Sequence, residues 1–189
     1  MRIIAGAFRG REVRLPARCR IRPTADRIKE ALFNIVGSVE GKSWLDLFAG
    51  CGNVGLEALS RGASRAVFVE KNPRLAEAVR ENLRSLGLEA QAEVIAADAE
   101  TGMRRLQKRG GCFDILFADP PYEEDFISEI LGHPGSAELL VENGVVILQH
   151  SLREPLKPCG EAALVVTDQR RYGDTLLSFL RTRREVCCR

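Results

Sequence analysis

The sequence predicts an α/β fold with a mostly parallel sheet that ends in an antiparallel hairpin. From Ser43 onward, short apolar segments alternate with segments of helical periodicity, the pattern of strands and crossover helices. Runs such as Val145-Val146-Ile147-Leu148 are continuously apolar, as in strands covered on both faces. The last two predicted strands, 161–169 and 175–182, leave no room for a crossover helix, so we expect them to pair antiparallel.

The other elements follow from local signals. Segments at 2–4 and 12–15 flank a glycine turn and indicate a small N-terminal β-hairpin. A helix then opens with Thr24 as its N-cap and stops at Gly37, with an apolar stripe of Ile28, Leu32, Phe33 and Val36. The remaining strands are predicted at 43–48, 65–70, 92–97, 113–118 and 144–149, and the remaining helices at 54–61, 73–86, 99–108 and 125–131.

Length and composition fit one domain with a sizeable core. The chain has 189 residues, of which 45% are hydrophobic and 29% charged. We see no linker, and expect a basic extension at 1–21 followed by a Rossmann-like core at 22–189. The net charge is only +2, but the first 30 residues hold nine basic and three acidic side chains. A charge run is usually a solvated face, and here it also suits a nucleic-acid backbone.

The cysteines and the N-terminus argue against several other classes of protein. The six cysteines are scattered, with no Cys-x-x-Cys motif and no histidine at ligand spacing, so we expect no metal site. We interpret Cys51 as a small side chain that fills space in its loop. The first residues lack the apolar core of a secretory signal, and no stretch is long enough to span a membrane. Thiols without a signal fit the reducing cytoplasm.

A glycine loop follows the first predicted strand of the core. Gly50, Gly52 and Gly55 match G-x-G-x-x-G between a strand and a helix, a pattern that binds nucleotides but is weak by itself. Glu70 ends the next strand about 20 residues later, where an acid would bind ribose hydroxyls. A structural alternative is that Glu70 serves the first turn of the helix that Asn72 and Pro73 open.

The charge at this loop selects the nucleotide. A dinucleotide carries a pyrophosphate, which is disfavoured beside a carboxylate, and Asp46 stands four residues before Gly50. S-adenosylmethionine carries a sulfonium and an ammonium instead, which a carboxylate stabilises. Asp46 therefore favours S-adenosylmethionine over a dinucleotide as the cofactor.

The second motif is Asp119-Pro120-Pro121-Tyr122, at the end of a buried strand. Asp119 and the Pro120 carbonyl can each accept one N–H of an exocyclic amine, and the ring of Tyr122 can stack on the base. The alternative is a strand end in a proline-rich turn. Asp46, Glu70, Asp98 and Asp119 each end a predicted strand, so we expect them at one edge of the sheet. Asp98 would face an adenine amine there, or serve as an ordinary N-cap.

Several segments carry a resemblance to a known family. They are MRIIAGAFRGREV, RPTADRIKEALFNIV, LDLFAGCGNVGLEALSRGA, VEKN, DPPY and RRYGDTLLSFLR. Together the chain resembles the bacterial enzymes that methylate N2 of guanine 966 in 16S ribosomal RNA. RPTADR and its basic leader are the most specific parts, since the other motifs occur in many amino-methyltransferases.

The resemblance implies a class I methyltransferase fold, S-adenosylmethionine as the cofactor, and 16S ribosomal RNA within the small subunit as the substrate. The motif residues then take three roles. Asp119, Pro120, Pro121 and Tyr122 form the catalytic set. The cofactor is assigned to Asp46, Phe48, Gly50, Gly52, Glu70 and Asp98. The RNA is assigned to Arg9, Arg11, Arg22, Thr24 and Arg27, although Thr24 is better explained as a helix cap.

Three other functions fit parts of the sequence. An N6-adenine methyltransferase acting on DNA or RNA would use the same DPPY motif, because both targets are exocyclic amines. A nicotinamide-dependent oxidoreductase fits the glycine loop and leaves Asp46 and DPPY unexplained. A non-catalytic RNA-binding module fits the arginines and explains neither acid.

Overall fold

The computed structural model describes residues 1–16, 26–121, 126–133, 135–154, 156 and 163–183. Its strands form a seven-stranded, mostly parallel sheet that ends in an antiparallel hairpin, which confirms the predicted fold class. Contacts group the chain into two compact units, Met1–Ala99 and Glu100–Arg189. Among the described residues, no helix has the length and apolar character needed to cross a bilayer.

The observed elements lie close to their predicted positions. The strands are β1 Ser43–Asp46, β2 Arg65–Glu70, β3 Ala92–Ala96, β4 Phe113–Ala118, β5 Leu140–Ser151, β6 Leu164–Tyr172 and β7 Thr175–Thr182. The helices are α1 Asp26–Val36, α2 Asn53–Ser60, α3 Pro73–Leu86, α4 Ala99–Lys108, α5 Phe126–Gly132 and α6 Gly135–Glu138. α6 and a short 3-10 helix at Glu89–Gln91 were not predicted. Thr24, the predicted cap of α1, lies outside the described residues.

The first unit contains three parallel strands in the order β3-β2-β1. All four residues of β1 are buried, including the polar Ser43 and Asp46 at its two ends. Local signals set the ends of α3: the Asn72 side chain accepts a hydrogen bond from the Arg74 N–H at 3.0 Å, and Gly87 ends the helix.

The second unit contains β4, β5, β7 and β6 in that spatial order. β4 and β5 are parallel, and β7 runs antiparallel to both β5 and β6. The predicted pairing of the last two strands is therefore confirmed, although the position of the last strand between β5 and β6 was not predicted. Six consecutive residues of β7 are buried, whereas β6 is mostly exposed. The more apolar strand thus occupies the interior position of the sheet.

The N-terminal segment, residues 1–16, is held mainly by contacts with α2. The predicted hairpin forms as a short one, with a bridge between Arg2 and Glu12 and cross-strand backbone hydrogen bonds of 2.9–3.0 Å on either side of it. The Glu57 carboxylate on α2 also accepts hydrogen bonds from the backbone N–H groups of Ile4 at 2.7 Å and Ala5 at 2.9 Å. These contacts attach the hairpin to α2.

A buried ion pair lies at the centre of this attachment. The Lys29 ammonium is 3.3 Å from the Glu57 carboxylate, and both side chains are fully buried. Lys29 also donates hydrogen bonds to the Arg2 carbonyl at 2.9 Å and to the Asn53 side-chain oxygen at 2.8 Å. On the other side of the pair, Glu57 accepts a hydrogen bond from the Arg61 side chain at 2.8 Å. Lys29 was not predicted to be buried because of its charge, although it lies three and four residues before Leu32 and Phe33 and therefore on the same face of α1.

Replacing Lys29 by methionine should strongly destabilise the protein. The substitution leaves the buried Glu57 carboxylate with Arg61 as its remaining cation, and removing one partner of a buried pair costs up to about 3–5 kcal/mol. Lys71→Met is the matched control, because Lys71 is exposed and its loss should change stability by no more than about 0.5 kcal/mol. Urea denaturation gives both free energies of unfolding. Equal stabilities for the two variants would contradict the structural role of the ion pair.

Candidate functional site

The glycine loop is a tight turn between β1 and α2. The Gly52 N–H donates to the Ala49 carbonyl at 2.7 Å, and Gly50 and Gly52 have φ angles of 57° and 86°. These left-handed conformations favour glycine over other residues. A Cβ atom placed on Gly50 would meet no atom within 4 Å, so a ligand has room to approach the backbone there. A Cβ on Gly55 would lie 2.3 Å from the Phe68 ring, which explains the third glycine by helix–strand packing.

Asp46 lies beneath this loop, with only 1% of its surface exposed. One of its carboxylate oxygens accepts a hydrogen bond from the Gly55 N–H at 3.2 Å, in the first turn of α2. Asp46 therefore has a structural function that was not predicted from the sequence. Its negative charge remains close beneath the loop, where it disfavours a bound pyrophosphate.

Glu70 connects the glycine loop to the start of α3. Its two oxygens accept hydrogen bonds from the Gly50 N–H at 2.8 Å and the Asn72 N–H at 2.7 Å. Burial raises the pKa of the Glu70 carboxyl, and these two hydrogen bonds act in the opposite direction. Because Asn72 itself caps α3, Glu70 is not needed as the helix cap. A carboxylate oxygen can accept more than one hydrogen bond, so Glu70 can also bind a ligand hydroxyl.

The other residues assigned to the cofactor differ in their environments. Phe48 is half-buried where the chain leaves β1, and Asp98 is exposed immediately before α4. Asp98 thus lies where a helix cap lies, and both interpretations of this residue still stand. Burial raises the pKa of the Cys51 thiol to about 11, so the thiol stays protonated at neutral pH. A protonated, buried thiol fits the interpretation of Cys51 as a small residue that fills space in the loop.

In the second unit, Asp119 follows directly after β4. Its side chain is half-buried, and one carboxylate oxygen accepts a hydrogen bond from the Gln149 side-chain amide at 2.9 Å. Pro120 is buried and Pro121 is exposed, whereas Tyr122 lies outside the described residues. Gln149 was missed in the sequence analysis. A signal was present, because Gln149 and Asp119 end neighbouring predicted strands.

The residues assigned to RNA are placed only in part. Arg9, Arg11 and Arg27 are exposed, and Arg22 and Thr24 lie outside the described residues. Arg11 donates a hydrogen bond to the Ser85 carbonyl at 3.2 Å. This contact orients part of its side chain along the surface of the first unit.

His150 is enclosed in the core of the second unit. Its Nδ1 lies 2.9 Å from the Glu154 carbonyl and its Nε2 lies 2.8 Å from the Ser178 hydroxyl. Burial lowers the pKa of His150, which favours the neutral ring, and these partners give it a structural role. In the described part of the chain, no group of three or more His, Cys, Asp or Glu residues could hold a metal ion.

Comparisons with known proteins identify the family of this chain. Residues 1–181 match the family model described as Conserved hypothetical protein 95. YlbH of Bacillus subtilis (strain 168), which carries a provisional name as an rRNA methyltransferase, is 36% identical over 97% of this chain and 100% of its own length. Ribosomal RNA small subunit methyltransferase D of Haemophilus influenzae is 34% identical over 82% of this chain and 81% of its own.

A solved structure shares the same fold. The hypothetical protein TTHA0928 of Thermus thermophilus superimposes with a TM-score of 0.81 and 33% sequence identity, and the match covers 96% of this chain and 99% of that one. The resemblance stated in the sequence analysis is thereby confirmed. The chain belongs to the ribosomal RNA small subunit methyltransferase D family, whose family model carries the description Conserved hypothetical protein 95.

Proposed function

We propose that this protein transfers a methyl group from S-adenosylmethionine to the exocyclic N2 amine of a guanine in 16S ribosomal RNA. The observation that carries the proposal is the Asp119 carboxylate at the carboxyl end of β4, followed by buried Pro120. The substrate is the small ribosomal subunit or an assembly intermediate of it, and the compartment we infer is the cytoplasm.

The chemistry of the target explains the role of Asp119. The lone pair of an exocyclic amine is delocalised into the purine ring, so the nitrogen is a weak nucleophile. Hydrogen bonds from this amine to Asp119 and to the Pro120 carbonyl would localise the lone pair and orient it. Positioning and electrostatics then supply most of the rate, and no strong base is needed. Stacking on Tyr122 would compensate for moving the guanine out of its own stack.

Features of the first unit support S-adenosylmethionine as the cofactor. The open space over Gly50 allows a ligand to approach the loop backbone. Glu70 would accept ribose hydroxyls, Asp46 would provide a negative charge, and Asp98 would contact the adenine amine. When bound, the cofactor supplies an electrophilic methyl group on its sulfonium. Phe48 and Gly52 would shape the rest of the cofactor site.

The basic N-terminal segment would bind the RNA backbone. Arg9 and Arg11 are exposed on a segment that Glu57 and Lys29 attach to the first unit. Arg22, Thr24 and Arg27 continue the same stretch of sequence. The bound RNA would therefore contact a fixed surface, and less conformational entropy would be lost on binding.

The Glu70→Ala variant should bind S-adenosylmethionine more weakly than the wild type. The wild-type protein should bind it with micromolar affinity, about −8 kcal/mol, and NAD should not compete. Loss of the Glu70 carboxylate should cost about 1–3 kcal/mol of binding free energy, the range for a hydrogen bond to a charged group. Glu77→Ala is the matched control, because Glu77 is an exposed acid on α3 of the same unit. Calorimetry that detects NAD binding and no S-adenosylmethionine binding would reject this cofactor.

The product of the reaction tests the proposed function itself. Small-subunit particles from cells that lack this protein should accept one methyl group per molecule from tritiated S-adenosylmethionine. Mass spectrometry of the digested RNA should then find N2-methylguanosine. Asp119→Asn should abolish the transfer and leave cofactor affinity within a few-fold, whereas the exposed Asp174→Ala should have no effect. Finding N6-methyladenine in DNA or RNA instead would replace this proposal with the adenine methyltransferase.

Reversing the charge at Arg9 and Arg11 should weaken RNA binding and reduce its dependence on salt. Each lost phosphate contact should remove about 0.7–0.9 from the slope of log affinity against log salt concentration. Arg105→Glu is the control, since Arg105 is an exposed arginine of α4 that we do not assign to RNA. A salt titration that gives equal slopes for wild type and the Arg9/Arg11 variant would leave the N-terminal segment with a structural role only.

A further inference from the structure

We propose that Gln149 is a positioning residue for the reaction, holding the Asp119 carboxylate in the orientation that receives the target amine. The inference rests on the proposed function and adds a residue to it. The contact behind it is direct, since the Gln149 amide donates to a carboxylate oxygen of Asp119 at 2.9 Å. Both residues belong to the second unit.

The sheet fixes the position of Gln149 from both sides. β4 and β5 are in register up to the pair Ala118 and Leu148, and Asp119 and Gln149 are the next residues along their chains. On the other side, Gln149 pairs with Leu177 of β7. A residue held in the middle of three strands has little backbone freedom, so its amide presents a fixed donor to Asp119.

Packing alone does not explain an amide at this position. Gln149 is only 4% exposed, and its cross-strand partner Leu177 is a fully buried apolar residue. Within the described part of the chain, its side-chain oxygen is buried without a hydrogen-bond partner. A buried acceptor of this kind costs free energy that a methionine of similar size would avoid. The hydrogen bond to Asp119 is therefore the interaction that a glutamine makes at this position and a methionine would not.

This donation has two consequences for Asp119. A hydrogen bond restricts rotation of the carboxylate, so its oxygens keep one orientation towards an incoming amine. A neutral donor also favours the ionised form of the carboxylate, the form that accepts hydrogen bonds. The amide, unlike an arginine or lysine, does this without adding a positive charge that would repel the developing positive charge on the methylated amine.

The test uses two substitutions of Gln149 and a matched glutamine. Gln149→Met removes the donor at similar volume, and Gln149→Glu keeps the shape but places a second carboxylate against Asp119. Gln169→Met is the control, because the Gln169 amide also donates to a side chain, in its case the Ser178 hydroxyl at 2.7 Å. Single-turnover rates are measured across pH with small-subunit particles and tritiated S-adenosylmethionine. Thermal melting and cofactor affinity are measured in parallel.

We expect Gln149→Met to lower the single-turnover rate by about 10²-fold, the scale of a misplaced catalytic group. Cofactor affinity and the melting temperature should remain close to wild type. In both Gln149 variants the acid limb of the pH–rate profile should move to higher pH. The larger shift should occur in Gln149→Glu, because two adjacent carboxylates share a proton. Gln169→Met should retain the wild-type rate and profile.

Two outcomes would overturn the inference, and they are distinguishable. In the first outcome, the Gln149 variants have wild-type rates and an unchanged pH profile while Asp119→Asn is inactive. This outcome would overturn the inference about Gln149 and leave the proposed function intact. Wild-type protein that transfers no methyl group to small-subunit RNA would overturn the proposed function and the inference together. If Gln149→Met fails to fold, the pH profile of the isosteric Gln149→Glu decides the question.

Discussion

The first unit depends on the buried ion pair between Lys29 and Glu57. Burying two charges is costly, and the cost is met only where every charged group finds partners. Here the Lys29 ammonium donates hydrogen bonds to oxygens of the N-terminal segment and of α2. Glu57 accepts hydrogen bonds from two backbone N–H groups of the N-terminal segment. Because α2 begins immediately after Gly52, whatever holds α2 also holds the glycine loop. The same contacts therefore fix both the glycine loop and the N-terminal segment, to which we assign the cofactor and the RNA.

Other buried polar side chains follow the same principle. The Asn82 amide of α3 donates to the carbonyls of Arg14, in the N-terminal segment, and of Cys51, in the glycine loop. Asp46 holds the first turn of α2, and Gln149 holds Asp119. In each case a buried polar side chain holds a segment or a residue that we assign to a ligand. Asp46 is also assigned to the cofactor itself, whereas Asn82 and Gln149 only support other assigned groups.

The sequence predicted the strands and helices well because their signals are local. The ends of α3 follow from Asn72, Pro73 and Gly87, and the antiparallel end of the sheet follows from the short spacing of the last strands. The burial of Lys29 and the pairing of Gln149 with Asp119 depend on contacts between residues far apart in the chain. A lysine is expected at the surface because of its charge, even where its spacing places it on the apolar face of a helix, and an amide at a strand end gives no signal of its own. The motifs thus identified the residues assigned to ligands, but not the residues that hold them.

The position of β7 links the assembly of the second unit to the order of synthesis. β5 and β6 leave the ribosome before β7. One edge of β5, the edge away from β4, stays unpaired until Thr175–Thr182 has emerged and entered between β5 and β6. Until then β5, which carries Gln149, presents an unpaired edge of the kind on which chains aggregate. A nascent chain that stalls before β7 therefore lacks the neighbour that completes the support of Asp119. The strand made after β6 is therefore the one that completes the pairing of β5 and fixes the backbone that carries Gln149.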